Sequence, residues 1–259
     1  MLELNKIYLG DCLEVMDYIA DKSIDMILCD LPYGSTSCRW DTIIPFEPLW
    51  KQYKRIVKDT GAIVLFGNEP FASHLRLSNL GWYKYDWYMK KNKPGGFLNA
   101  KKMPLKAIET ISVFYKKQVI YNPQELLKIN KTVKNTGTKS RGNKKENGDI
   151  TSAHNLIKKK FYKQEYTNYP TNIVECSNGD VNTIHPTQKS VPLFEYLIKT
   201  YTNEGDLILD NCAGSGTTGI AAFNLDRDFI LIEKDETYFQ LAKDRIEKHM
   251  SLPVQRELL

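Results

Sequence analysis

The sequence predicts an α/β fold built on a doubly wound, mostly parallel sheet, with a basic region inserted into it. Short apolar runs alternate with segments of helical periodicity, a pattern typical of parallel sheets covered by helices on both faces. A glycine-rich turn between a strand-like and a helix-like run repeats this unit near the C-terminal end, in residues 205–223. After Tyr115 the composition becomes polar and rich in lysine, which indicates the insertion.

Strands and helices alternate through the first 115 residues. Residues 24–29 form a mostly apolar run that ends at Asp30, as expected for a strand buried on both faces. Further strands are predicted at residues 7–9, 62–66, 83–88 and 108–115. Helices are predicted from the spacing of Leu13, Met16 and Ile19, from the spacing of Leu49, Tyr53 and Val57 with an end near Gly61, and from Pro70 onward.

Length and composition exclude several classes of protein. A chain of 259 residues suits one α/β domain with an inserted region. We find no apolar run of about 18 residues and no signal-peptide pattern at the N-terminus, so neither a membrane span nor secretion is expected. The five cysteines are scattered and lack the spacing of a zinc site or a disulfide framework, which favours the cytoplasm.

The insertion is predicted to span residues 116–183, between a first half at 1–115 and a second half at 184–259. Residues 116–163 contain 13 lysines and arginines and three acids, whereas the whole chain has a net charge of +5. A basic block on an otherwise acidic chain indicates a polyanionic partner, although a solvated lysine-rich loop has the same composition. Residues 131–149 are almost free of apolar side chains and predict a loop or disorder.

A cofactor loop is predicted at residues 214–219, whose sequence GSGTTG matches the G-x-G-x-x-G pattern. A strand at residues 205–210 precedes it and a helix follows, so its glycines allow a ligand to approach the backbone at a helix N-terminus. Glu233 ends the next strand, where a carboxylate can accept both hydroxyls of a ribose. The pattern predicts a nucleoside-type cofactor and does not separate a dinucleotide from S-adenosylmethionine.

A second chemical segment, DLPYG, follows the buried strand at residues 30–34. Methylation of an exocyclic amine requires two acceptors for the amino hydrogens, so that the nitrogen lone pair turns toward the methyl group. Asp30 supplies a carboxylate, and Pro32 favours an extended Leu31 whose carbonyl can point into the same pocket. Tyr33 offers a flat face for stacking a base. An ordinary turn at the end of a strand is the alternative.

The order of these two segments resembles the permuted, beta class of amino DNA methyltransferases, in which the catalytic motif precedes the cofactor motif. The resemblance implies a Rossmann-like methyltransferase sheet, S-adenosyl-L-methionine as cofactor and a catalytic segment formed by Asp30, Leu31, Pro32 and Tyr33. Leu31 stands where the family has its first proline. The cofactor-binding residues that it implies are Asp11, Cys12, Thr187, Lys189, Asp210, Cys212, Gly214, Ser215, Gly216 and Glu233.

Among these, the resemblance places Asp11 and Cys12 at the adenine, and Thr187 and Lys189 at the methionine end of the cofactor. The family often has Asp-Pro-Phe before its glycines, where this chain has Asn211 and Cys212 after Asp210.

The resemblance predicts a site-specific methyltransferase that flips adenine out of double-stranded DNA and methylates N6, as in restriction-modification systems. The insertion would recognise the target through basic residues, namely Lys131, Lys134, Lys139, Arg141, Lys144, Lys145, Lys158, Lys159 and Lys160. Cytosine N4 and RNA or protein amines are alternative substrates. A nicotinamide oxidoreductase and a non-enzymatic DNA-binding relative are alternative classes. Some family members pair as homodimers, so a homodimer is one expectation for the chain.

Overall fold

The computed structural model of the protein describes residues 2–34, 41–134, 161–176 and 188–251. The chain separates into two compact units, one formed by residues 1–122 and 171–259 and the other by residues 123–170. Its elements, in chain order, are β1 (Lys6–Leu9), α1 (Cys12–Val15), β2 (Ile24–Cys29), α2 (Phe46–Ile56), β3 (Val57–Gly67), α3 (Phe71–Ser78), β4 (Tyr83–Gly95), β5 (Lys106–Phe114), β6 (Leu127–Lys134), β7 (Phe161–Thr167), β8 (Ile173–Cys176), α4 (Val191–Tyr201), β9 (Leu207–Asp210), α5 (Thr217–Asn224), β10 (Asp228–Glu233) and α6 (Glu236–Ser251).

The larger unit contains an eight-stranded sheet with the strand order β1-β10-β9-β2-β3-β5-β4-β8. Five neighbouring strands are parallel to one another, namely β1, β10, β9, β2 and β3. Strand β5 is antiparallel to both of its neighbours, and β8 is parallel to β4. The predicted mostly parallel α/β sheet is therefore confirmed. Because β3 and β4 are each antiparallel to β5, they run in the same direction and end at the same edge of the sheet.

Apolar side chains on the two faces of the sheet form two hydrophobic layers. Met26 and Leu28 of β2 pack in the layer that contains α4, α5 and Ile246 of α6. Ile27 and Cys29 pack in the opposite layer with α2 and α3. This double burial explains why the run from residue 24 to residue 29 has no clear alternation of apolar and polar side chains.

Several predicted boundaries are confirmed, and others differ. Ser190 caps α4 by accepting a hydrogen bond from the backbone N–H of Leu193, as the sequence predicts. Val57, predicted to lie in a helix, is instead the first residue of β3. Gly61 lies inside that strand rather than at a helix end. A Cβ there would come within 2.8 Å of the carbonyl oxygen of Asp25 in β2, so only glycine fits without a shift. Close approach of two strands, and not a helix stop, accounts for this glycine.

The smaller unit contains the antiparallel hairpin of β6 and β7, in which Lys128 pairs with Tyr166 and Thr132 pairs with Lys163. The sequence predicts a loop from residue 131 onward, whereas residues 131–134 continue β6. The β-branched Thr132 and Val133 are compatible with that strand despite their polar surroundings. None of the helices within the described ranges is both long and apolar enough to span a bilayer.

Candidate active site

A cavity of about 750 Å³ opens at the carboxyl edge of the parallel strands in the larger unit. Asp11, Asp30, Asp210 and Glu233 line it, and each lies at or just beyond the end of a strand of that sheet. Ligands of open α/β sheets bind at this edge because loops from several strands converge there. The cavity therefore joins the predicted cofactor loop and the predicted catalytic segment in one space.

The glycine loop forms one side of this cavity. Gly214 and Gly216 have positive φ angles of +52° and +75°, which other residues adopt only with strain. A Cβ on Gly216 would come within 2.8 Å of Ile246 on α6, whereas a Cβ on Gly214 would meet no atom within 4 Å. Gly216 thus packs against the protein, while Gly214 leaves open space for a ligand next to the first turn of α5.

Glu233 contacts the glycine loop directly, and two backbone donors orient its carboxylate. The N–H of Gly214 donates to Oε2 at 2.7 Å, and the N–H of Asp235 donates to Oε1 at 2.8 Å. Burial raises the pKa of Glu233 above its ordinary value. Each carboxylate oxygen retains a second lone pair, so the orientation suits the acceptance of two hydroxyl groups.

Asp11 and Asp210 make contacts within the protein that fix this half of the site. Asp11 accepts from the N–H of Leu13 at 3.0 Å and from the ammonium of Lys234 at 2.9 Å, and the Lys234 contact lowers the pKa of Asp11. Asp210 accepts from the hydroxyl of Thr218 and from the N–H of Cys212, and burial raises the pKa of Asp210 to about 6. Its contacts brace the glycine loop.

Two of the predicted cofactor residues are cysteines. Cys12 and Cys212 line the cavity, and a hydrogen bond between their thiols, together with burial, raises the pKa of Cys12. The thiols therefore remain neutral at physiological pH and act as small apolar surface.

The predicted catalytic segment is held in place by Asp41, a buried residue that the sequence does not single out. The backbone N–H groups of Tyr33 and Gly34 each donate to Oδ1 of Asp41 at 2.8 Å. Leu31 is buried, and the ring of Tyr33 packs against Phe71 with centroids 5.1 Å apart. These contacts fix the turn that carries Asp30 into the cavity.

Asp30 belongs to a half-buried network of charges around the buried Glu109. Its Oδ2 lies 2.9 Å from Nζ of Lys189, and its Oδ1 accepts a hydrogen bond from the hydroxyl of Tyr33. Nζ of Lys189 also lies 3.1 Å from Oε1 of Glu109, whose Oε2 lies 3.3 Å from Nζ of Lys91. Two carboxylates and two ammonium groups therefore balance one another beside the glycine loop.

Electrostatics in this network follow from burial and from the shared ammonium group. Burial raises the pKa of Asp30, the ammonium of Lys189 opposes that rise, and the carboxylate of Glu109 adds to it, so the pKa stays above its ordinary value. For Glu109, burial raises the pKa, but Lys189 and Lys91 outweigh it and the pKa is lowered. Burial alone would lower the pKa of Lys189, but the carboxylates of Asp30 and Glu109 outweigh burial and hold that pKa above its ordinary value.

The structure brings most of the predicted site residues together, and it reveals others. Lys189 reaches Asp30 and Glu109 with its side chain, while its carbonyl accepts from the hydroxyl of Thr217 at 3.4 Å, so its amine lies in the catalytic half of the cavity. Sequence reasoning missed Glu109, Lys91 and Asp41. Of these three residues, only Glu109 could have been noticed in the sequence, because it is the one acid in the mostly apolar strand β5.

The remaining predicted residues belong to the smaller unit or lie outside the described ranges. Lys131 and Lys134 belong to β6 of the smaller unit. The following lie outside the described residues: Thr187, Lys139, Arg141, Lys144, Lys145, Lys158, Lys159 and Lys160.

Comparison with known proteins agrees with this arrangement. The sequence model of the N6/N4 methyltransferases, described as DNA methylase, matches residues 24–244. The type II methyltransferase M1.MboII of Moraxella bovis is 28% identical over 263 residues, which cover 93% of this chain and 96% of the relative. M.HinfI of Haemophilus influenzae is 27% identical and covers 99% of this chain and 72% of its own.

Solved structures show the same architecture. The M1.HpyAVI complex with SAM superimposes with a TM-score of 0.59 at 26% identity, covering 93% of this chain and 98% of that one. The cytosine-N4-specific PvuII DNA methyltransferase superimposes with a TM-score of 0.65 at 16% identity, covering 94% and 90%, and shares the fold. With a family match over most of its length and the two halves of the site in one cavity, the chain belongs to the N6/N4 DNA methylase family and is an S-adenosylmethionine-dependent DNA methyltransferase.

Proposed function

We propose that the protein transfers a methyl group to N6 of adenine at a specific site in duplex DNA, with the target base flipped into the cavity. The observation that carries this proposal is the position of Asp30 in the same cavity as the glycine loop. A carboxylate at that place accepts an amino hydrogen, and burial strengthens the interaction.

The residues of the glycine loop fit S-adenosylmethionine. Open space over Gly214 leaves room for a ligand against the backbone, and Glu233 has its oxygens oriented for a ribose. Asp11 lines the same cavity near Glu233, since the N–H of Gly10 donates to the carbonyl of Glu233 at 3.0 Å, and its carboxylate suits an exocyclic amine of an adenine ring. When bound, the cofactor supplies an electrophilic methyl group on a sulfonium.

The chain's own residues prepare the amine for attack. Asp30 accepts one amino hydrogen, and the carbonyl of Leu31 is proposed to accept the other, so that the nitrogen lone pair points out of the plane of the base. Burial raises the pKa of Asp30, and Lys189 opposes that rise, so Lys189 favours the ionised carboxylate, which is the stronger acceptor. The ring of Tyr33 is proposed to stack against the flipped base, and its packing on Phe71 restricts its orientation.

The basic residues between 116 and 163 are proposed to recognise the DNA target. Lysine contacts to phosphates position the duplex, and polar side chains in this region would read base edges. The relatives M1.MboII and M.HinfI are named type II methyltransferases, and we propose that this chain likewise acts in a restriction-modification system in the cytoplasm.

The product distinguishes this proposal from its nearest alternative, because cytosine N4 has the same amine chemistry. DNA from cells that express the chain would be digested to nucleosides and analysed by mass spectrometry, with cells that express Asp30→Ala as the matched control. We expect N6-methyladenine in the first sample only. N4-methylcytosine without N6-methyladenine would show that cytosine is the substrate, and no modified nucleoside in naked DNA treated with the purified protein and cofactor would contradict the activity.

A further inference from the structure

The loop between β4 and β5 carries an apolar tip that the methylation chemistry does not explain. Phe97 is 79% exposed, and the adjacent Leu98 is 99% exposed. Gly96 turns the chain into the tip with a φ of +84°. The N–H of Asn99 then donates to the carbonyl of Gly96 at 2.9 Å, and the N–H of Ala100 donates to the carbonyl of Phe97 at 3.0 Å. The tip is thus a hydrogen-bonded turn that presents two large apolar side chains to solvent.

The position of this loop follows from the direction of its strands. Because β4 runs in the same direction as β3, the β4–β5 loop leaves the sheet at the carboxyl edge, where the cavity opens. The same two strands also contribute side chains to the cavity, since Lys91 of β4 and Glu109 of β5 line it. A base that enters the cavity from a duplex therefore brings its neighbours to this edge.

The charge of the loop favours a polyanion. Residues 90–106 contain six lysines and no acidic residue. Lys90 pairs with Glu175 and Lys91 pairs with Glu109. Lys101 and Lys102 follow the tip, are exposed, and take part in none of the salt bridges found within the described part of the chain. Lysines placed beside an apolar tip are suited to contact the phosphates that flank an opened base step.

We propose that Phe97 and Leu98 form a wedge that enters the base stack of duplex DNA and fills the space left by the flipped target base. Lys101 and Lys102 hold the wedge on the flanking phosphates. Apolar side chains inserted at a base step replace part of the stacking that is lost when the step opens. The inference rests on the proposed function, because it requires that the target base leaves the duplex.

The test compares a paired target with an unpaired one. The duplex would contain the site that the protein methylates, first with the target base correctly paired and then with a mismatch opposite it, and single-turnover methylation rates would be measured on both. The variants are Phe97→Ala and Leu98→Ala, alone and combined. Leu80→Ala is the matched control, since Leu80 is 60% exposed and lies between α3 and β4, outside the cavity and the loop.

On the paired duplex we expect the double variant to be slower by about tenfold or more, because a base step costs a few kcal/mol to open and each tenfold corresponds to about 1.4 kcal/mol. On the mismatched duplex, whose target is already unstacked, we expect the loss to fall to about twofold or less. Leu80→Ala should behave as wild type on both. Lys101→Ala with Lys102→Ala should slow both substrates equally at low protein concentration, since phosphate contacts do not depend on pairing.

Equal losses by the double variant on the two duplexes, or no loss on either, would overturn the wedge. A change in the oligomeric state of the double variant without any change in its DNA kinetics would also overturn it, by showing that the tip contacts another copy of the chain. The same experiment tests base flipping on its own. If the target base does not leave the duplex, wild-type protein would methylate the mismatched duplex no faster than the paired one.

Discussion

The acceptor role proposed for Asp30 requires an ionised carboxylate, and at the residue scale the neighbours of Asp30 set its pKa. Burial and the carboxylate of Glu109 raise its pKa, and the ammonium of Lys189 at 2.9 Å opposes them. The balance depends on few groups because Asp30 is only partly exposed, so single substitutions should alter its pKa measurably.

The first residue-scale prediction concerns Asp30 itself. Asp30→Ala should reduce kcat by about 10²–10³-fold, the usual effect of losing one preorganised polar partner. Binding of S-adenosylmethionine should stay close to wild type, because Glu233 and the glycine loop are intact. Titration calorimetry and single-turnover methylation measure the two quantities independently. A variant with more than half of the wild-type rate would show that the acceptor is another group.

A second residue-scale prediction concerns the pH dependence of methylation. In the proposed mechanism activity requires ionised Asp30, so we expect it to fall as the pH drops through the pKa of that group. Glu109→Gln removes a negative neighbour that raises this pKa, and the acidic limb of kcat/KM should therefore move to lower pH. Lys189→Met removes the ammonium group that lowers it, and the limb should move to higher pH.

The pH profile separates this electrostatic role from a purely structural one. If Glu109 only supports the fold, Glu109→Gln should lower the rate by the same factor at every pH and leave the acidic limb where it is in the wild type. If the acidic limb moved in the same direction in both variants, Glu109 and Lys189 could not have opposite effects on the pKa of Asp30.

The sequence identified the residues at this scale that carry a motif, and it missed those that act through space. Asp30 and Glu233 stand in recognisable segments at the ends of strands. Asp41 and Glu109 stand in no motif. The fold alone brings Asp41 to Tyr33, 8 positions away, and Glu109 to Lys189, 80 positions away. Such contacts leave no local pattern in one sequence.

At the scale of elements, the junction between β9 and α5 depends on glycine in a way that can be measured. Gly216 has a positive φ and packs so closely on α6 that a Cβ would lie 2.8 Å from Ile246. Gly205 also has a positive φ, of +79°, but its Cβ position is open. The pair therefore separates backbone strain from steric overlap.

Gly216→Ala should lose more stability than Gly205→Ala. Both substitutions add about 1–2 kcal/mol of backbone strain in the left-handed region. Only the first also forces a contact with Ile246, and overpacking of this kind costs about 1–3 kcal/mol more. Urea denaturation of the two variants measures the difference in the free energy of unfolding. Equal losses would mean that α6 moves away without cost.

Elements with a strong period were predictable, and elements set by tertiary pairing were not. The capped start of α4 and the buried run of β2 follow from local sequence. β8 does not: Ile173–Cys176 is short, and it is a strand because it pairs with β4 at the edge of the sheet. Helix α2 ends at Ile56 rather than near Gly61 because the backbone of β3 already pairs with β2 at Val57.

At the scale of the whole molecule, positive charge is concentrated in one stretch of the chain. Residues 116–163 hold 13 of the 36 lysines and arginines but only three of the 31 acids. The sequence shows this segregation directly, because charge needs no knowledge of the fold. It does not show which lysines meet phosphates, since that depends on the path of the DNA.

Substitution of Lys158, Lys159 and Lys160 by alanine tests the role of this basic stretch. Every phosphate contact that is lost should reduce the slope of log affinity against log salt by about 0.9, and affinity should fall for specific and random duplexes alike. Fluorescence anisotropy over a range of salt concentrations gives both values. As a matched control, Lys6→Ala removes a lysine of β1, outside the basic stretch. A wild-type slope in the triple variant would mean that these lysines are only solvated.

The hydrogen bond from Tyr33 to Asp30 bears on how binding energy is used. Both oxygens of the Asp30 carboxylate already have donors, one from the Tyr33 hydroxyl and one from Lys189. Each oxygen retains one further lone pair, so an incoming base amine joins donors that already neutralise much of the charge, and it adds less to the affinity for the ground state than it would at an unpaired carboxylate. We therefore expect most of the affinity for DNA to come from contacts away from the amine. The hydrogen bond from the amine to Asp30 strengthens as positive charge develops on the nitrogen, and this added stabilisation of the transition state lowers the barrier.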